Sequence, residues 1–234
     1  MLLPGATVSK REKKRLIVKP YNKVSATAYS AYKTLRTQVI QRMRDHKLQS
    51  LMVTSPTAGN GKTVTAINLA MNLVRQAEGL VLLVDLDLRR PRVGSYLGLT
   101  PPHGVVDVLT GQVSLADISY RVSIPRLIVL PCNSPVEDSS ELLSSDRMRL
   151  FMQELKQTHA GQPVIIDMPP VLDCDDVLAF SPHADASLLV VESGKTKGHQ
   201  VGQALQMLSR TAFLGVVMNK SRASGASYYY ACGG

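Results

Sequence analysis

The sequence contains no tryptophan, only three phenylalanines, and no run of about 18 consecutive apolar residues, the length a membrane-spanning helix needs. The apolar start of MLLPGATVSK is too short for a secretory signal, so the expected compartment is the cytoplasm. Cysteine is scarce. Cys132, Cys174 and Cys232 are widely spaced and odd in number, which supports neither a disulfide framework nor a zinc motif. The five histidines, at 46, 103, 159, 183 and 199, share no ligand spacing and read as ordinary surface or core residues. Internal repeats and low-complexity linkers are also missing. Aromatic residues do not interleave the basic ones near the N-terminus, Tyr21 aside, so recognition of nucleic acid by base stacking is not expected.

What is present is enough for one substantial α/β core: 234 residues, 44% of them apolar. The formal charge of +9 is unevenly placed. Lys10, Arg11, Lys13, Lys14, Arg15, Lys19 and Lys23 face a single acid, Glu12, within residues 1–24, so two-thirds of the net charge sits in a basic leader. Such a leader is either a solvated tail or a contact for anionic lipid or nucleic acid.

The stretch Ser50 to Thr63, SLMVTSPTAGNGKT, carries the strongest chemical signal. It reads as a short apolar strand (Leu51 to Thr54), a loop of small residues, and a helix opened by Gly61-Lys62-Thr63. That order turns a Gly-Lys-Thr triplet into a phosphate cradle. Backbone N–H groups of Ala58, Gly59, Asn60, Gly61, Lys62, Thr63 and Val64 supply partial positive charge, and the glycines let the backbone approach phosphate closely. Lys62 adds a full charge, and the Thr63 hydroxyl is a ligand for Mg²⁺. The first glycine of G-x-x-x-x-G-K-[ST] is replaced by Pro56.

Around this loop, apolar runs and helical spacing alternate. Residues 25–44 place Ala28, Tyr32, Leu35, Val39 and Met43 at helical intervals. A helix is expected from Thr63 to about Ala77, then strands at Leu80 to Val84, Leu127 to Leu130, Pro163 to Asp167, Ser187 to Glu192 and Phe213 to Met218. Residues 93–125 read as short helices and turns, 139–157 as one or two helices, and Lys197 to Arg210 as another helix. Runs such as LVLLV, apolar without alternation, are expected of strands buried on both faces. The predicted fold is therefore α/β, a mostly parallel sheet with helices on both faces, with ligands at the carboxyl ends of the strands.

Acids fall at those ends. Asp167 follows Val-Ile-Ile as a Walker B acid would, acting on Mg²⁺ directly or through water. Asp85 and Asp87 end the strand after the loop's helix and can supply a second metal-positioning group and a base. Any one of them alone is as readily a helix cap. Arg89 and Arg90 follow, either to stabilise phosphate, to contact another subunit, or simply solvated.

Together, SPTAGNGKT, LLVDLDLRRP, SELLSS and IIDMPP, with a tyrosine cluster near the C-terminus, resemble the bacterial tyrosine kinases of capsule and exopolysaccharide assembly. More loosely they are similar to the MinD/ParA ATPases, which share the P-loop NTPase fold. The resemblance spans roughly residues 25–230. It implies ATP/ADP and Mg²⁺ as ligands, with Thr63, Asp85 and Asp167 at the metal, Lys62, Asp85, Asp87 and Asp167 in catalysis, and Asn219 of VVMNKS near adenine. It further implies transfer of the γ-phosphoryl group to Tyr228, Tyr229 and Tyr230 of a neighbouring copy. The expected domain is 25–220, with 221–234 a flexible tail. Implied partners are a membrane-embedded polysaccharide co-polymerase that recruits and activates the chain at the inner face of the membrane, further copies of the chain, and an opposing phosphotyrosine phosphatase.

Two departures stand out. The family's E-x-x-R-x-x-R signature for ring-like self-association aligns with Ser30, Lys33 and Arg36, so the acid is gone and one arginine is a lysine, which lacks the bidentate fork. The loop also lacks the extra lysine usual in MinD/ParA proteins, since Ser55-Pro56-Thr57 occupies that place. A positioning ATPase of that kind, or a non-catalytic ATP-binding scaffold for polysaccharide export, are the rival readings. Only a kinase becomes phosphorylated on tyrosine.

Overall fold

The structure, a computed structural model, describes residues 26–76 and 79–221. The basic leader and the tail tyrosines Tyr228, Tyr229 and Tyr230 lie outside the described residues. So does Ala77.

Seven strands form one sheet in the order β3-β4-β2-β5-β1-β6-β7. They are β1 (Ser50–Thr54), β2 (Val81–Asp85), β3 (Tyr120–Arg121), β4 (Leu127–Leu130), β5 (Val164–Asp167), β6 (Ala186–Glu192) and β7 (Ala212–Asn219). All neighbouring pairs are parallel except β3 with β4. The strand pattern explains the unalternating apolar runs, because each face of the sheet has its own core. On one face Met52, Leu82, Val84, Ile128, Ile166 and Leu189 pack against α4 (Val105–Leu109), α6 (Asp146–Thr158), α7 (Asp176–Phe180) and α8 (Gly198–Met207). On the other, Leu51, Val53, Leu83, Val129, Ile165 and Val190 pack against α1 (Ala26–Asp45) and α2 (Lys62–Leu73). Burial at both faces leaves no solvent side to carry polar residues.

Element ends differ from the sequence reading in identifiable ways. The helix α2 stops at Leu73 because the Arg75 and Gln76 N–H groups reach back only three residues, to Asn72 and Leu73, which tightens the chain into a turn. Residues 139–158 form two helices, α5 (Ser139–Ser144) and α6. Ser145 divides them: its backbone is extended, and its hydroxyl accepts the Met148 N–H at 3.2 Å as an N-cap. Three elements went unanticipated: β3, α7 and the 3₁₀ turn at Ser181–His183. The strand β3 has only two residues, and α7, with five, is too short to show a period. The short helix α3 (Val93–Tyr96) and the 3₁₀ turn at Leu115–Ile118 fall where short helices were expected. Among the described residues no helix is long and apolar enough to cross a membrane.

Register decides what meets at the carboxyl end. Asp85 of β2 lies beside Asp167 of β5, and Val53 of β1, just before the loop, flanks Asp167 on its other side. The central strands β2, β5 and β1 therefore deliver two acids and the phosphate loop to one place.

Candidate active site

The loop between β1 and α2 is tied down at its start. The Thr54 hydroxyl donates to the Pro169 carbonyl at 2.6 Å, and the carbonyls of Ser55 and Pro56 accept N–H bonds from Val171 and Leu172 at 2.9 and 3.1 Å. Pro56 is buried and contributes its carbonyl, so the position needs no N–H and tolerates proline. At the other end Gly59 and Gly61 have φ of 85° and 93°. A side chain at Gly61 would be strained by that φ and would collide with the Asn219 amide. Asn60 is buried between them; its side chain accepts from the Thr57 N–H and hydroxyl and donates to Thr196 Oγ1 at 2.9 Å.

The expected catalytic residues converge. Lys62 Nζ lies 2.6 Å from Asp87 Oδ2 and 3.6 Å from Asp167 Oδ1, while the Thr63 hydroxyl donates to Asp167 Oδ2 at 2.7 Å. All four side chains are buried or nearly so. Burial pulls the Lys62 ammonium toward the neutral form, but the charges of Asp167 and Asp87 outweigh it and hold its pKa above the usual lysine value. The Asp167 carboxyl is raised as well, but there burial is the larger cause. Burial pushes it up to about 6, against the lowering influence of Lys62 and the Thr63 hydroxyl.

Asp85 occupies a different position from its two partners. Its Oδ2 accepts the backbone N–H groups of Arg92 and Val93 at 3.1 and 2.9 Å, and its Oδ1 a longer one from Asp87 at 3.3 Å. Burial and the nearby Asp167 raise its pKa well above the ordinary range. Asp85 thus holds the turn that carries Asp87 and Arg89, and its carboxylate is largely committed to the backbone. Asp167 is not so committed: its Oδ1 is buried without a hydrogen-bond partner. Two acids facing one lysine, with one carboxylate oxygen that accepts no hydrogen bond, fit a hard divalent cation such as Mg²⁺. No group of three or more His, Cys, Asp or Glu among the described residues forms a metal cage. Mg²⁺ needs no such cage, since it takes one or two carboxylates and completes its shell with phosphate and water.

Several residues of the site carried no signal in the sequence reading. Asp176, fully buried, accepts from Ser139 Oγ at 2.6 Å and from the Arg89 guanidinium at 3.3 and 3.4 Å, so Arg89 is tethered to α7. Burial also raises the thiols near the acids, Cys132 to about 12 and Cys174 to about 11, which keeps them protonated and unreactive. Asn219, expected near adenine, donates its amide to the Asn60 carbonyl at 2.9 Å. Lys220, next in the chain, reaches the Gly59 carbonyl at 2.7 Å and Glu192 Oε2 at 3.0 Å. Glu192 ends β6, so the strand-end logic that found the three acids would have flagged it too.

Comparison with known proteins agrees with this geometry. Residues 49–211 match the family model described as an AAA domain. The chain is 34% identical over 200 residues to the tyrosine-protein kinase YwqD of Bacillus subtilis, covering 85% of this chain and 83% of that one. It is 25% identical to the tyrosine-protein kinase ptk of Acinetobacter johnsonii over 93% of this chain but only 30% of that protein, so the same unit also occurs within longer relatives. Among solved structures, the kinase domain of the Escherichia coli tyrosine kinase ETK superposes with a TM-score of 0.76 at 29% identity, over 87% of this chain and 80% of that domain. With its phosphate loop and strand-end acids in the places described, this chain belongs to the AAA-domain family of P-loop proteins and, within it, to the bacterial tyrosine-protein kinases.

Proposed function

We propose that this chain is an ATP-dependent protein-tyrosine kinase that phosphorylates tail tyrosines Tyr228, Tyr229 and Tyr230 of a neighbouring copy and thereby regulates export or synthesis of an extracellular polysaccharide. The observation that carries this reading is the Lys62–Asp87–Asp167–Thr63 cluster beside the phosphate loop, with one buried carboxylate oxygen left unclaimed. The loop amides from Ala58 to Val64 cradle the phosphates of ATP. When phosphate arrives, Lys62 turns to it and releases Asp87, which then accepts the proton of the incoming tyrosine hydroxyl. The tyrosine oxygen forms its bond to the γ-phosphorus as the bond to the β-phosphate oxygen breaks, and ADP leaves. Thr63 and Asp167 would hold Mg²⁺, with Asp85 beside them, and the bound ion would supply charge neutralisation at the phosphates. Asn219 lies near the adenine.

Working partners follow from the same reading: a membrane-embedded co-polymerase that activates the kinase at the inner face of the membrane, other copies of the chain, and a phosphatase that resets it. The test incubates purified protein with Mg-ATP, with and without a cytoplasmic segment of such a membrane partner, and maps phosphate by mass spectrometry. Phosphate on Tyr228 to Tyr230 in either condition is the expected result. ATP hydrolysis without any phosphotyrosine would replace the kinase with a positioning ATPase.

A further inference from the structure

Two consecutive carbonyls of the phosphate loop are held from outside the loop. Lys220 Nζ donates to the Gly59 carbonyl at 2.7 Å, and Asn219 Nδ2 donates to the Asn60 carbonyl at 2.9 Å. In a trans peptide the C=O and N–H point in opposite directions. Fixing the Gly59 carbonyl therefore fixes the Asn60 N–H, and fixing the Asn60 carbonyl fixes the Gly61 N–H. Sterics give little help here. Gly59 and Gly61 both have positive φ, and neither has a side chain to brace these peptides; besides the Asn60 side chain, held by Thr57 and Thr196, the two carbonyl bonds are what fix them.

The holder is itself braced. Lys220 Nζ also bonds Glu192 Oε2 at 3.0 Å, and Lys195 lies 3.6 Å from the same oxygen. Lys220 adopts φ of 55°, uncommon for a residue with a side chain, and its N–H bonds the Asn219 side-chain oxygen at 2.8 Å. Strain of this kind persists only where surrounding contacts over-determine it. The contacts are those just named, and they lead to the phosphate loop.

We propose that Lys220, braced by Glu192, is a positioning residue that aims the Asn60 N–H into the phosphate cradle by anchoring the Gly59 carbonyl outside it. This rests on the nucleotide-binding reading of the loop, and adds a residue to it from the opposite edge of the sheet. Lys220 touches no reacting atom in this scheme. It acts through one peptide plane.

The rival is a direct charge contact between Lys220 and nucleotide phosphate, and the sign of one substitution separates the two. Affinity for Mg-ATP and Mg-ADP is measured by calorimetry on the full chain, wild type beside Lys220→Met, Lys220→Arg and Glu192→Gln, at 0.15 and 0.5 M salt. As an anchor, Lys220→Met weakens binding about tenfold, Arg restores most of it, and the loss persists at high salt. Glu192→Gln then weakens binding by about two- to threefold, because it loosens the brace. A direct charge contact predicts the opposite sign for Glu192→Gln, since removing a neighbouring carboxylate strengthens attraction for phosphate, and a loss for Lys220→Met that shrinks with salt. Tighter binding by Glu192→Gln, or unchanged binding by Lys220→Met, overturns the proposal. Should Lys220→Met unfold the chain, the Glu192→Gln result still decides. Because the readout is nucleotide affinity, a failure of tyrosine transfer would strike the kinase reading and leave this one standing.

Discussion

Asp167 and Asp185 sit at opposite ends of the same sheet and have opposite fates. Asp185, just ahead of β6, is fully employed: Oδ2 accepts the N–H groups of Gln49 and Ser50 and the Ser50 hydroxyl at 2.8 to 3.0 Å, while Oδ1 accepts Lys156 at 2.7 Å. Although burial opposes it, those bonds keep its pKa below the ordinary value of 3.8. Asp167, at the end of β5, is more deeply buried and has one oxygen without a hydrogen-bond partner, Lys62 standing off at 3.6 Å, and its carboxyl is pushed up to about 6. One acid stabilises the fold and the other costs it stability. The lesson is that a functional carboxylate is recognisable by what the protein withholds from it.

Substitution should separate the two roles. The largest effect expected is on catalysis, where Asp167→Asn lowers tyrosine phosphorylation by about 10² to 10³-fold in a radiolabel assay. The same variant, free of ligand, should melt no lower than wild type. A raised folded pKa means that ionisation opposes folding above about 6, and Asn removes that opposition. Next, Asp185→Ala should destabilise by about 2–4 kcal/mol in urea unfolding, because it strands Lys156 and three donors, while nucleotide affinity of the folded protein stays the same. A smaller, pH-dependent effect follows from the depressed pKa of Asp185. Its contribution is present above the ordinary 3.8 and lost as pH falls through the folded value. The gap between wild type and Asp185→Asn should therefore be full at pH 7 and narrow toward pH 3; a gap constant across that range would contradict the assignment. Smallest of all, Lys195→Met should shift stability by less than about 0.5 kcal/mol, since its bridge to Glu192 is long and the lysine is exposed.

The placement of the residues proposed for catalysis was legible in the sequence, and the structural half of the comparison was not. Lys62, Thr63, Asp87 and Asp167 could be placed because each abuts a local pattern, an apolar strand or a glycine-lysine turn, and parallel topology sends all such ends to one side. The six parallel strands were visible for the same reason, as short apolar runs, five of them buried on both faces; the edge strand β7 exposes Phe213, Val216 and Met218. Asp185 forms its bonds across 135 residues to Ser50, and Asp176 across 87 to Arg89, so no window of sequence contains both members of either pair. Asp85 shows the limit of pattern reading most clearly. It shares a motif with Asp87, yet one carboxylate faces the lysine and the other is spent on backbone N–H groups.

The sheet's order also sets a gradient of local opening. The side chains proposed to react lie at the ends of β1, β2 and β5, each paired on both sides, whereas Asn219 and Lys220 lie at and just beyond the end of β7, which among the described residues has a strand, β6, on one side alone. Amide hydrogens in the three inner strands should exchange only through global unfolding, and those of β7 through far cheaper fraying. If Lys220 anchors the loop as proposed, the cradle is rigid where it would react and adjustable where it is aimed, so a protein docking along β7 would gain a grip on nucleotide affinity without touching the nucleotide.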